Sequence, residues 1–223
     1  MGVRQIVITT IDSILNAAGM PDDQRPMLPE ADRKAIAARL VTSCLLRGMK
    51  RTEALNAVLD YAPHVVLRRR QRDGKSDNYK TERRGVALIG NPGTGKTVAI
   101  GLLSYYGEIH ILQAAEFAQV FAAGGEQAAV QLMRENSERA IIIDDLGAER
   151  EVQSFGNASP MADWLQRRYA SWQRGGPDTH IVTNLSSAEM KTRYGDRVLD
   201  RLYEMCIVIP IFGDSLRTPT VHA

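Results

Sequence analysis

Residues 90–97 read Gly90-Asn91-Pro92-Gly93-Thr94-Gly95-Lys96-Thr97, a complete Walker A loop, and no other feature restricts the fold as tightly. The apolar run Val86-Ala87-Leu88-Ile89 leads into it, and the helix-compatible stretch Val98-Ala99-Ile100-Gly101-Leu102-Leu103 leads out. The chemistry needs that setting of strand, loop and helix. Glycines let the backbone wrap a phosphate, its N–H groups point inward, and the helix N-terminus adds positive potential. Lys96 then reaches the β- and γ-phosphates, and the Thr97 hydroxyl ligates Mg²⁺. The nucleotide-binding set expected here is Gly90, Asn91, Pro92, Gly93, Thr94, Gly95, Lys96, Thr97 and Val98. A flexible Gly-Pro turn would not need these flanks.

Downstream, apolar runs alternate with helical patterns. Strands are expected at Ile109–Leu112, Ala140–Ile143, His180–Thr183 and Ile207–Ile211. Helices are expected at Ala115–Ala123 and Glu126–Asn136 around a Gly124-Gly125 break, at Met161–Arg174, after the capping box Ser186-Ser187-Ala188-Glu189, and near Asp196–Tyr203. Such alternation predicts an α/β fold with a parallel sheet between helices.

The chain's 223 residues suffice for one sizeable core with a small appendage. Its 44% hydrophobic and 24% charged content is ordinary for a globular protein, and a net charge of +2 does not announce nucleic acid. No apolar run spans a bilayer, and Arg4, Gln5, Thr9, Thr10 and Asp12 interrupt the mildly apolar N-terminus, which argues against a signal peptide. Cys44 and Cys206 lack metal-ligand spacing and read as buried free thiols. The histidines are scattered and mark no metal site. A cytoplasmic location fits these features.

Around the phosphates, Ile141-Ile142-Ile143-Asp144-Asp145 has the form of a Walker B strand. Asp144 would hold Mg²⁺ through its water shell, and Asp145 would polarise the attacking water. Glu149 is the alternative base. Thr183-Asn184 ends the next strand, where an amide could sit between γ-phosphate and water. Arg197 and Arg201 share one helix face at i, i+4, and a guanidinium there could serve a neighbouring subunit as an arginine finger. The competing reading pairs them with Asp200 or Glu204. Arg217 follows the last strand and could reach its own subunit's nucleotide.

The order Gly-Asn-Pro-Gly-Thr-Gly-Lys-Thr, Ile-Asp-Asp-Leu-Gly-Ala-Glu, Thr-Asn, Tyr-Gly-Asp-Arg-Val-Leu-Asp-Arg-Leu and Asp-Ser-Leu-Arg resembles the DnaC/DnaI helicase-loader and IstB transposition-helper branch of AAA+ ATPases. The resemblance covers about residues 52–217. It implies an AAA+ domain, ATP and Mg²⁺, with Asn184 as sensor 1, Arg201 as arginine finger and Arg217 as sensor 2. It also implies assemblies that act on single-stranded DNA or on a replicative helicase, expected to be hexameric, with no membrane partner. Catalysis would then fall to Lys96, Asp145, Asn184 and Arg201. An IstB-like transposition helper and a nucleotide-gated binding module with little turnover are the alternatives.

Three features depart from that pattern. Few residues follow Arg217, so the helical lid is expected to be absent or vestigial. The segment 68–84, rich in arginine and lysine, is long and reads either as a solvated loop or as a phosphate-backbone contact. Residues 1–50 match no known module and are expected to form an N-terminal helical partner-binding segment before an ATPase domain at 51–223. Within them, helices are expected around 5–18 and over Asp32–Arg47, with a proline-marked linker between. A further helix, capped by Thr52, should end or kink at Pro63. Finally, Trp164, Arg167, Arg168, Tyr169, Trp172 and Arg174 interleave cations with aromatics, which suits either single-strand binding or ordinary packing against the sheet.

Overall fold

The five apolar runs become five parallel strands, and their order decides where the polar loops meet. The computed structural model describes residues 30–46, 52–72, 83–107, 109–149 and 159–217. The expected helix at 5–18, the proline linker and the centre of the basic segment (73–82) lie outside the described residues. Two compact units divide between Glu82 and Arg83.

In the first unit, α1 (Glu30–Leu46) and α2 (Glu53–Arg72) pack on each other, which is why the division falls after both. Ile36 and Cys44 of α1 are buried. Thr52 caps α2 as expected, its Oγ1 accepting the Leu55 N–H at 3.0 Å. Pro63 does not end that helix, which continues to Arg72. An interior proline costs about 3 kcal/mol through its missing N–H. Burial of Tyr61, Ala62 and Val65 on either side offsets this, at roughly 1.5–3 kcal/mol for each large apolar side chain. The start of the basic segment is therefore helix, not loop. Arg68 donates to the Tyr61 hydroxyl at 2.8 Å, one face of its own helix.

The second unit holds β1 (Gly85–Gly90), α3 (Lys96–Gly107), β2 (His110–Gln113), α4 (Ala114–Glu135), β3 (Ile141–Leu146), α5 (Pro160–Gln173), β4 (Thr179–Thr183), α6 (Ser187–Tyr194), α7 (Asp196–Met205) and β5 (Cys206–Ile211). The sheet order is β2-β3-β4-β1-β5, and every pair is parallel. Parallel neighbours need crossovers, and each connection carries one or two helices. This is the α/β P-loop architecture expected from the sequence. Ile141, Ile142 and Ile143 are fully buried, as a central strand covered on both faces requires. Helix α4 is broken at Gly125, whose φ of 67° is open to glycine at little cost.

The chain leaves β1 toward one side of the sheet and leaves β4 toward the other. Ligands in such sheets bind outside the carboxyl ends of strands at that reversal. Register brings the relevant ends level: Gln113 pairs with Asp144, Leu146 with Thr183, and Ile89 with Thr183. Cys44 and Cys206 are buried and in no disulfide, and burial pushes the Cys206 thiol pKa well up. Among the described residues no helix is long and apolar enough to cross a membrane, and no group of side chains could hold a metal through three His, Cys, Asp or Glu.

Candidate nucleotide site

The loop after β1 winds tightly against the chain's last described segment. Gly93, at φ 81°, accepts the Leu216 N–H on its carbonyl at 2.8 Å. A Cβ on Gly93 would stand 2.2 Å from the Ser215 hydroxyl, so only glycine fits this cradle. The Lys96 ammonium lies across the loop, donating to the carbonyls of Gly90 (2.8 Å) and Asn91 (2.6 Å) and to the Asn184 side-chain oxygen (2.9 Å). Burial lowers its pKa, while Asp145 and Asp144 pull it back up.

Thr97, at the start of α3, donates to one Asp144 oxygen at 3.0 Å, and Gln113 donates to the other at 2.9 Å. Asp144 is buried at the end of a strand whose upstream residues are all apolar. Its next neighbour bulges the strand, which runs on to Leu146. Asp145 has φ 55° where the β3–β4 register shifts, the one non-glycine with positive φ among the described residues. Such conformations cost of order 1–3 kcal/mol and persist where surrounding bonds enforce them. Here Asn184 donates to Asp145 Oδ1 at 2.9 Å, and the Asp145 N–H donates to Asp144 at 3.1 Å. Thr183 ties the two strand ends together, donating to the Leu146 carbonyl at 2.6 Å.

These groups line an open cleft of about 350 Å³ that takes in Pro92 to Val98, Gln113, Asp144, Asp145, Asn184 and Arg217. Arg217 thus lines the cleft of the same chain. Glu149 does not line it. Its buried carboxylate accepts from the Gly147 N–H (2.8 Å), Arg193 (3.2 Å) and the Tyr194 hydroxyl, which leaves it poorly placed as a base. Arg201 also lies outside the cleft. It donates to Gln166 at 2.7 Å and sits 5.1 Å from the Tyr169 ring centre, with no ion pair to Asp200 or Glu204. Arg197 is exposed on the same helix.

The aromatic and basic stretch on α5 is only partly core: Trp164, Arg168 and Tyr169 are buried, Trp172 is half-buried, and Arg167 and Arg174 are exposed. Trp164 stacks on Phe117 at 4.9 Å, and Arg168 is buried with every guanidinium nitrogen donating to an oxygen of residues 136–137 or 177–179. Trp172 donates to the Arg83 carbonyl at 3.0 Å. Single-strand stacking is therefore unavailable to Trp164 and Arg168. Sequence reasoning missed Gln113, whose only signal is its place at a strand end beside Asp144.

The residues fit a nucleotide with its metal. The Thr97 hydroxyl and Asp144 carboxylate offer the hard oxygen donors that Mg²⁺ takes, and the Gly93 cradle leaves a backbone surface a phosphate can approach.

No family model matches the chain, and no curated protein matches it. Among solved structures it is similar to the DnaC helicase loader (22% identity over 58% of this chain and 79% of that one, TM-score 0.44) and to DnaI (17% over 70% and 85%, TM-score 0.46). A candidate primosome component from Streptococcus pyogenes serotype M3 is also similar (16% over 76% and 92%, TM-score 0.43).

Proposed function

We propose that this chain is an ATP-binding and ATP-hydrolysing DNA-replication protein that loads or remodels a hexameric replicative helicase on single-stranded DNA. One observation carries the ATPase part: Lys96 from the start of α3, Asp144 and Asp145 from β3, and Asn184 just after β4 meet at one cleft behind the Walker loop. The helicase part is supported by the motif order, above all the block from Tyr194 to Leu202.

In this reading Lys96 turns from the loop carbonyls to the phosphates, exchanging neutral acceptors for charged ones. Thr97 and Asp144 hold Mg²⁺, which when bound neutralises charge on the phosphate oxygens. Asp145 accepts a proton from the attacking water. Asn184, already bonded to both Lys96 and Asp145, orients that water. Arg217 faces the subunit's own nucleotide, and Arg201, outside that cleft, serves the site of an adjoining subunit.

Calorimetric titration of the full chain with Mg-ATP tests the binding part. Lys96→Ala should weaken binding about a hundredfold, because a charge-assisted bond to phosphate is lost. Turnover should rise with single-stranded DNA, and a replicative helicase should co-purify. Equal affinity in Lys96→Ala would sink the nucleotide reading, and a transposase in place of the helicase would turn the function toward transposition.

A further inference from the structure

We infer that Glu149, Arg193 and Tyr194 form a positioning cluster that holds the turn presenting Asp145 and fastens it to the helix carrying Arg201. This rests on the ATPase reading above. Gly147 (φ 102°) stands two residues after Asp145, and its N–H donates to the Glu149 carboxylate at 2.8 Å. The Ala148 N–H closes the same turn on the Asp145 carbonyl at 2.9 Å. On its other side the carboxylate accepts from Arg193 and Tyr194, the last two residues of α6, and Arg193 also donates to the Glu149 carbonyl. Gly195, at φ 84°, then swings the chain directly into α7 with Arg197 and Arg201.

Stability alone is a weak reason for this arrangement. Taking a carboxylate and a guanidinium out of water costs several kcal/mol per ion, and apolar side chains of equal volume often hold two elements together as well. Directed bonds are what an apolar contact cannot supply. The cluster fixes the angle of a strained turn whose side chain has to meet a water molecule, and it ties that angle to the α6–α7 junction.

The test uses Glu149→Gln, Tyr194→Phe and Arg193→Gln in the full chain, reading kcat, KM, nucleotide Kd and Tm. Glu149→Gln should lower kcat by about tenfold or more while nucleotide Kd moves less than about twofold, since misplacement near the reacting atoms acts on rate. Glu149→Gln with Arg193→Gln should cost no more than the worse single change, because both act through one unit. If Glu149→Gln does not fold, Tyr194→Phe decides, with an expected kcat loss of about threefold at an unchanged Kd. An unchanged kcat in the folded variant overturns the inference, and so does a parallel fall of kcat, nucleotide affinity and Tm that marks a merely structural role. A wild-type chain that binds ATP without turnover would sink the ATPase reading and this inference together; normal wild-type turnover with an indifferent Glu149→Gln would sink the inference alone.

Discussion

Helices α5 and α7 pack side by side, and each carries an arginine that the sequence offers as functional. Arg168 on α5 points inward and spends its donors on the carbonyls of Asn136, Ser137, Pro177 and Asp178 and on the Thr179 hydroxyl. Burial pushes its pKa down to about 10, which still leaves it charged at neutral pH. Arg201 on α7 is only half-buried, held by one bond to Gln166 and by the Tyr169 ring. The first arginine is committed to its own chain. The second keeps most of its donors for something else, and a single neutral bond is easily exchanged for a phosphate.

That contrast breaks most sharply at Arg201. Arg201→Ala should lower turnover about a thousandfold if the guanidinium completes a neighbour's site, while nucleotide affinity and Tm hold steady. Mixing this variant with Lys96→Ala protein, inactive in itself but still bearing Arg201, should restore turnover at mixed interfaces. Concentration-independent turnover and no rescue would place Arg201 with Arg168, as a structural group.

For Arg168 the expected loss is in stability. Arg168→Ala strips partners from several buried carbonyls at once, so denaturant unfolding should show a loss of about 3 kcal/mol. Turnover per folded molecule should be nearly normal. A stable Arg168→Ala chain with lost DNA stimulation would mean the inward geometry is wrong in solution.

How far the sequence discloses these roles depends on the kind of signal. The Walker loop is legible because its chemistry fixes residue types at fixed spacing, and Asp144 because an apolar strand must end in a carboxylate to serve the site. Thr183 and Asn184 follow from strand order. Arg168 is harder, since cations among aromatics look like a nucleic-acid face. Yet Met161, Leu165, Arg168 and Trp172 recur at helical spacing, and that stripe marks the buried face whatever the charge on one member. Pro63 misleads for a related reason: local propensity says stop, and burial of the following turn overrules it. The left-handed Asp145 has no sequence signature at all, because the bonds that enforce it come from Asn184, far along the chain.

Asp145 is accordingly the place to compare chemistry with geometry. Asp145→Asn keeps the shape and the bond to Asn184 but cannot accept a proton. Turnover should fall about a hundredfold with nucleotide binding preserved. A wild-type rate in Asp145→Asn would move the base elsewhere, and the hydrogen bonds already on the Glu149 carboxylate make that residue a poor substitute.

The smallest effect is expected where α6 begins, at the end of that helix remote from the Arg193 contact. Ser186 caps it: its hydroxyl oxygen accepts the Glu189 N–H at 3.3 Å, and the Glu189 carboxylate accepts from the Ser186 N–H at 2.7 Å. Ser186→Ala removes the first bond and keeps the backbone donor, so Tm should drop by about 3 °C. The hydrogen bond from the Ser186 backbone holds the Glu189 carboxyl below its ordinary pKa, with the Ser186 hydroxyl adding to the shift. A depressed carboxyl stabilises the fold above its unfolded pKa and loses that contribution as pH falls through the folded value. The Tm gap between wild type and Ser186→Ala should therefore be full at neutral pH and shrink in acid, because part of the cap is already gone. Turnover should not change at either pH. If Ser186→Ala alters kcat at constant Tm, α6 transmits to the cleft along its whole length, and the separation between a helix that supports and a helix end that positions would have to be redrawn.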